Sequence, residues 1–335
     1  MENLKDRVTI YQVAQASGVS LATVSRVINN RGTVTPATRK KVEATIQRLG
    51  YKPSGLAQAL ATNRTTNIGV IIPSANYVYI SNFLNGVTET AKEKGLVLTL
   101  LTTGHSREEA ITMIEKVISL HSDGVIIFDD QLNPDDAKEI SSYNVPTIVV
   151  DRKVTGEKVG CVRFNYADAL SRIIHSYYEK GGDKLMSFLH VHNAGRLLTH
   201  CEKTFIETHE KLGKEHRVIN TDDSYRRTYS DFIHIFKTES KGVFICYRDS
   251  IAAAVMNAAL DSGLRVPEDV EIISIVGTKY ARIFRPTMSA MYIDMQEVGK
   301  RAMYMLTDLL NDSLVDKVSS FDADYIDGGS TLLKL

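Results

Sequence analysis

Leu21, Ala22 and Arg26 stand within two turns of one short segment, and together they could read the edges of DNA bases. A guanidinium presents forked donors that match the acceptors of guanine, and small apolar side chains fit against a thymine methyl. Around them lie short hydroxyl, phenol and amide side chains: Thr9, Tyr11, Ser20, Thr23, Ser25, Asn29, Thr35 and Thr38. Such groups suit phosphate oxygens, which fix register without reading sequence. The chemistry on offer is recognition, with no bond made or broken.

The elements that would hold these groups are legible in VTIYQVAQASGVSLATVSRVIN, residues 8–29. Thr9 is placed to cap a helix, and Gln12 three residues on completes a capping box. Ile10, Val13 and Ala14 recur on one face. Ser17-Gly18-Val19 breaks the run, and Gly18 can take the positive φ of a sharp turn. Ser20 caps a second helix, in which Val24, Val27 and Ile28 face inward and Leu21, Ala22, Thr23, Ser25, Arg26 and Asn29 face outward. A third helix opens with Thr35 as cap and Pro36 at its first position; it carries Arg39, Lys40 and Lys41 and ends near Gly50. A three-helix bundle that merely packs has the same spacing, but charge argues for an anionic partner. Residues 1–64 hold ten Lys and Arg against three acids, a net of +7, and the whole chain is neutral, leaving −7 for the rest. A basic head on an acidic body is what local phosphate binding requires.

The head resembles that of the LacI–GalR family of bacterial transcription regulators. The resemblance rests on the opening VTIYQVA, the core TVSRVIN, the helix TRKKV and the closing LGYKP. Within the family, the pair Leu21-Ala22 looks closest to the catabolite control proteins of Gram-positive bacteria. It implies a homodimer on a roughly palindromic operator, with Leu21, Ala22 and Arg26 on bases and the polar groups above on phosphates.

Length and composition fit that organisation. A chain of 335 residues suits two or three domains, and 43% hydrophobic content is ample for cores. Cys161, Cys201 and Cys246 are scattered, as expected of reduced thiols in a cytoplasmic protein. The polar start MENLKDRVTI is unlike a secretory signal, and no apolar run approaches the ~20 residues of a membrane span.

Residues 1–52 are thus expected to form the all-α helix-turn-helix head and residues 53–62 a hinge. Leu56, Ala57 and Leu60 share a helical face there, in a segment too short to be stable alone. An ordinary linker is the other reading. By the resemblance, the hinge orders only on DNA, and Leu60, with Ala57 beside it, wedges a minor-groove step. Ser54 stands where the family usually has Asn.

From residue 63 short apolar runs alternate with helices. Strands are expected at 68–73, 96–103, 124–129, 146–151, 185–191, 242–247 and 270–276, and helices at 106–120, 166–180 and 249–262. Near-continuous Val/Ile/Leu strands suit parallel sheets covered on both faces. The expected body is α/β, two doubly wound lobes resembling periplasmic sugar-binding proteins. By the resemblance the chain crosses near 162, 291 and 319, giving lobe 1 residues 63–162 and 291–318 and lobe 2 residues 163–290 and 319–335. Ligands in such sheets sit beyond the carboxyl ends of strands. That nominates Ser74, Asn76, Tyr77, Asp129, Asp130, Asp151, Arg152, Asn165, Tyr166, Arg248 and Asp249 for an effector cleft, with Arg196 as a further cation.

Three positions depart from the family pattern. Cys201 stands where sugar- and purine-binding members usually carry Arg, with Thr204 at the following Gly. Arg248-Asp249 replaces Asn-Asp or Thr-Asp. Ser274-Ile275-Val276-Gly277 replaces Gly-Phe-Asp, which removes a ligand-gripping carboxylate. Arg196 and Arg248 could restore affinity for an anion such as a phosphorylated sugar. The alternative is a degenerate cleft with control by a phosphorylated carrier protein, as in the catabolite control proteins.

Other chemistry lacks support. There is no GxGxxG, Walker loop or GxSxG elbow. His190 and His192 have no carboxylate–cysteine set for a metal, and Asp129 and Asp130, adjacent on a strand end, point apart. No enzyme, cofactor or metal is expected; a ligand-binding protein or enzyme without DNA function is the remote alternative.

Overall fold

The computed structural model describes residues 8–30, 32–52, 65–75, 77–103, 107–128, 135–151, 153–192, 195–313 and 316–334. The expected hinge at 53–62, and with it Ala57 and Leu60, lies outside them, as do Asn76, Asp129, Asp130 and Arg152. The chain divides into two compact units, with the boundary between Thr66 and Asn67.

The head unit is three helices, α1 (Ile10–Ser17), α2 (Leu21–Ile28) and α3 (Pro36–Leu49). Each starts where a cap satisfies amides that the helix cannot. Thr9 and Gln12 close a reciprocal capping box, the Thr23 amide donates to Ser20 Oγ at 3.2 Å, and the Thr38 amide donates to Thr35 Oγ1 at 3.4 Å. Gly18 ends α1 with φ +62°, a conformation that costs a Cβ-bearing residue about 1 kcal/mol or more. Val13, Val24, Val27, Val42 and Tyr51 form the buried core.

The second unit contains two six-stranded sheets. Sheet 1 runs β11-β5-β4-β3-β1-β2, with β1 (Asn67–Ile72), β2 (Val97–Thr102), β3 (Gly124–Phe128), β4 (Thr147–Val150), β5 (Val159–Asn165) and β11 (Val318–Asp322), all parallel. Sheet 2 runs β12-β10-β9-β8-β6-β7, with β6 (Met186–Val191), β7 (His216–Thr221), β8 (Gly242–Arg248), β9 (Val270–Val276), β10 (Ser289–Tyr292) and β12 (Asp324–Ile326). Only β12 is antiparallel to its neighbour. The helices α4 (Val78–Glu93), α7 (Ala167–Glu179), α8 (Arg196–Leu212) and α11 (Met295–Leu310) share one buried apolar cluster with the sheets; α5 (Arg107–Ser119) and α6 (Asp136–Ser142) belong to a second against sheet 1, and α9 (Tyr225–Ile235) and α10 (Asp249–Asp261) to a third against sheet 2. Buried apolar clusters lie on both sides of each sheet, which explains why the central strands read as unbroken apolar runs.

All seven expected strands are present with ends shifted by at most one residue, and β5, β7, β10, β11 and β12 are additional. The crossings between sheets fall later than expected. β5 stays paired with β11 through Asn165 and Asp322, and β10 stays in sheet 2 through Tyr292. The chain therefore leaves one sheet for the other after residues 165, 292 and 322, because ladder pairing persists a few residues beyond 162, 291 and 319. After the second crossing α11 returns to sheet 1 and packs on α4. A Cβ on Gly86 would stand 2.0 Å from the Gln296 carbonyl, and one on Gly299 2.2 Å from the Phe83 carbonyl. Two glycines thus let these helix backbones touch.

Candidate DNA-reading face and effector cleft

On the head, Leu21, Ala22 and Arg26 lie on the exposed face of α2, opposite Val24 and Val27 in the core. Arg26 is in no ion pair among the described residues; its stem runs over Gly32, whose Cβ would stand 3.6 Å from Arg26 Cδ. The neighbouring groups expected on phosphates are partly committed to the helix starts. Thr9, Ser20 and Thr35 accept from helix amides, Thr23 shares a hydrogen bond with Ser20, Thr38 accepts from Thr35, and Asn29 Nδ2 donates to the Ser25 carbonyl at 3.0 Å. The caps order the helix N-termini, whose remaining amides favour anions. Tyr11 is 70% exposed, and Lys40 and Lys41 are exposed without ion pairs among the described residues. The face is cationic and open to solvent.

In the second unit, a cavity, about 820 Å³ counting the open solvent at its mouth, lies at the carboxyl ends of the parallel strands of both sheets. Each sheet reverses its strand order here, between β1 and β3 and between β6 and β8, the place where such sheets leave room for a ligand. Sheet 1 and its flanking helices present Tyr77, Tyr79, Phe128, Phe164 and Tyr166. These rings form a continuous string, with neighbouring centroids 5.5, 6.1, 5.8 and 6.4 Å apart. Sheet 2 presents Val191, His192, Asp223, Tyr247, Arg248 and Val276. Arg248 is the principal charge. Its guanidinium is ion-paired with Asp223 and lies 4.7 Å from the Tyr77 ring centroid and 5.3 Å from that of Tyr247. The contact with Tyr77 spans the cleft from one lobe to the other. Arg248 Nε is buried with no hydrogen-bond partner, an arrangement that costs free energy until a ligand or a water meets it.

A second cavity, about 980 Å³ counting open solvent, shares Asp151, Phe164, Tyr166 and Leu197 with the first. It adds Lys153, Arg163, Arg196, His200 and Cys201. Burial pushes the Cys201 thiol up to about 12, with Asp151 adding to the shift, so the thiol is neutral and serves as wall. Burial likewise drives the Tyr166 hydroxyl above its ordinary range, with Asp151 again reinforcing.

The expected cleft residues thus divide. Tyr77, Asp151, Tyr166 and Arg248 line the first cavity, and Asp151, Tyr166 and Arg196 the second. Ser74, Asn165 and Asp249 line neither. Asn165 donates to Asp168 at 2.7 Å and to Asp322 at 2.9 Å, tying the first and third crossings together. Asp249 is buried at the start of α10 and accepts from the Thr278 amide at 3.0 Å and from the Thr278 hydroxyl; burial raises its carboxyl above the ordinary carboxylate range against those bonds. Both act in the scaffold, because local partners satisfy them before a ligand could. The aromatic wall escaped the sequence reading except at Tyr77 and Tyr166. Its signal was an aromatic residue at or beside the end of an apolar strand: Phe128, Phe164 and Tyr247. His190 pairs with Glu202 on α8, and His192 faces the cleft. Among the described residues no group of His, Cys, Asp and Glu is arranged to hold a metal ion, and no helix is long and apolar enough to cross a membrane.

Comparison with known proteins agrees with this geometry. Residues 9–54 match the model for bacterial regulatory proteins of the lacI family, and residues 178–331 that for a periplasmic binding protein-like domain. The chain is 30% identical over 341 residues to the HTH-type transcriptional regulator pepR1 of Lactobacillus delbrueckii subsp. lactis, covering 98% of this chain and 99% of that one. It is 28% identical over 316 residues to catabolite control protein A of Staphylococcus epidermidis, covering 92% and 94%. Its fold is similar to that of the lac repressor dimer bound to operator and the anti-inducer ONPF, with a TM-score of 0.86, 22% identity and coverage of 98% and 100%. The chain belongs to the lacI family of bacterial regulatory proteins. It is a DNA-binding transcription regulator.

Proposed function

We propose that the protein is a cytoplasmic homodimeric repressor of carbohydrate-related genes, acting by binding alone. The carrying observation is the exposed face of α2, where Leu21, Ala22 and Arg26 stand clear on a capped scaffold. In this reading they read bases in the major groove. Thr9, Tyr11, Ser20, Thr23, Ser25, Asn29, Thr35 and Thr38 hold the backbone, and Leu60 with Ala57 wedges the minor groove at the centre of the site. The dimer is supported by an apolar face on the sheet 1 edge. There β2 exposes Val97 (61%) and Leu100 (46%), beside a groove lined by Leu84, Ala91, Leu96 and Leu98. An unpaired apolar edge of this kind is normally covered.

A small polar effector, a sugar or sugar phosphate, would occupy the cleft and bias lobe geometry, and with it hinge order. The formed cavity favours this over a degenerate cleft governed by a phosphorylated carrier protein. Nuclease footprinting on source genomic fragments over a salt series checks the DNA reading. A protected, roughly two-fold symmetric site is expected, with affinity falling steeply as salt rises; absence of protection at every salt concentration would overturn it.

A further inference from the structure

The two cavities form one compartment with two different chemistries. Phe164 and Tyr166 stand in the shared wall, so a ligand in the aromatic chamber borders directly on the second cavity. The aromatic chamber offers mainly ring faces. Its strongest charges, Arg248 and Asp223, are already paired with each other, with Arg248 Nε the one buried donor there left without a partner among the described residues. The second cavity is the reverse. Lys153, Arg163 and Arg196 surround it with His200, and none of the three cations is in an ion pair among the described residues. Asp151 is the one carboxylate among the residues that line it. Unpaired cations converging on a cavity, in a unit whose net charge is negative, mark a place where an anion is held.

We infer that the effector of this cleft is a ring-bearing phosphate ester, with its planar ring against Tyr79, Phe128 and Phe164 and its phosphate among Lys153, Arg163 and Arg196. A nucleoside 5′-monophosphate is the simplest molecule that unites a planar heterocycle, a sugar and a phosphate at this reach. The inference rests on the reading of the cleft as the effector site and specifies what enters it.

Isothermal titration of the full-length protein with adenosine 5′-monophosphate, uridine 5′-monophosphate, adenosine, glucose 6-phosphate, glucose and inorganic phosphate tests it. One nucleotide should bind at least about tenfold more tightly than adenosine and than glucose 6-phosphate, the worth of one charge-assisted hydrogen bond or one ring contact. Arg196→Gln and Lys153→Gln, both at exposed positions where folding is easily verified by melting, should each weaken the nucleotide about tenfold and leave adenosine unchanged. Tyr79→Leu should weaken the nucleotide and spare inorganic phosphate. Equal or tighter binding of glucose 6-phosphate would overturn the ring half, while the cleft would stand as an effector site. Adenosine binding as tightly as its monophosphate would overturn the phosphate half. If none of the six binds to protein that still protects an operator, the inference falls together with the effector reading, and the DNA reading survives.

Discussion

In the head, the base-reading groups stand on one helix, exposed and in no ion pair among the described residues; in the aromatic chamber of the cleft the groups come from strand ends of both sheets and are already engaged with one another. Arg26 points into solvent from α2, held by a cap at Ser20 and a core at Val24. Arg248 is largely buried, ion-paired with Asp223 and stacked near Tyr77. A partner as highly charged as DNA can be met by open cations, because counterion release supplies the driving force. A small ligand has few atoms, and its site must be desolvated and preorganised before it arrives.

This contrast can be broken from the head side first. Val24→Ala opens a cavity in a core of five buried residues and should cost about 2–3 kcal/mol. In a calorimetric scan the head should melt at lower temperature while the transition of the second unit stays in place. A shift of both would show that the units do not unfold separately.

Arg26→Ala removes a base reader and leaves the scaffold intact. Operator affinity should fall by about 2 kcal/mol with non-specific binding nearly unchanged, so the ratio of the two narrows. Competition with random-sequence DNA measures that ratio.

Ser20→Ala deletes the α2 cap, seen as the Thr23 amide donating to Ser20 Oγ at 3.2 Å. Head stability should drop by about 1 kcal/mol. Operator affinity should fall uniformly across base substitutions, unlike the position-specific loss for Arg26.

Tyr77→Ala removes the ring 4.7 Å from the Arg248 guanidinium. The loss should be the smallest, about 0.5–1 kcal/mol in stability of the second unit, and small-angle scattering should report a more open cleft. A cleft that stays closed would show that the cation–ring contact does not hold the lobes together.

The same contrast explains what the sequence disclosed. The head is legible because its determinants are local: Thr9 with Gln12, Gly18, Ser20 and the Val24–Val27 spacing specify turn, caps and face within twenty residues. The central strands are legible because both of their faces are buried. β7 (HRVINT) and β11 (VSSFD) are not, since edge strands carry polar and charged residues that break the apolar run. The cleft was only partly legible. Strand ends nominated Tyr77, Asp151, Tyr166 and Arg248, yet adjacency to a strand end does not say whether a local partner claims the side chain first. Asn165 and Asp249 were claimed in that way, by Asp168, Asp322 and Thr278. The aromatic wall depends on rings from separate elements meeting across the sheet, which spacing along the chain does not encode.

The most direct measurement is selection of bound DNA from a random pool with the unaltered protein and with Arg26→Ala in parallel. The unaltered protein should enrich a two-fold symmetric site, and Arg26→Ala should relax the same symmetry-related position in each half. No enrichment by the unaltered protein, or an identical site enriched by both, would contradict the assignment of α2 as the reading helix.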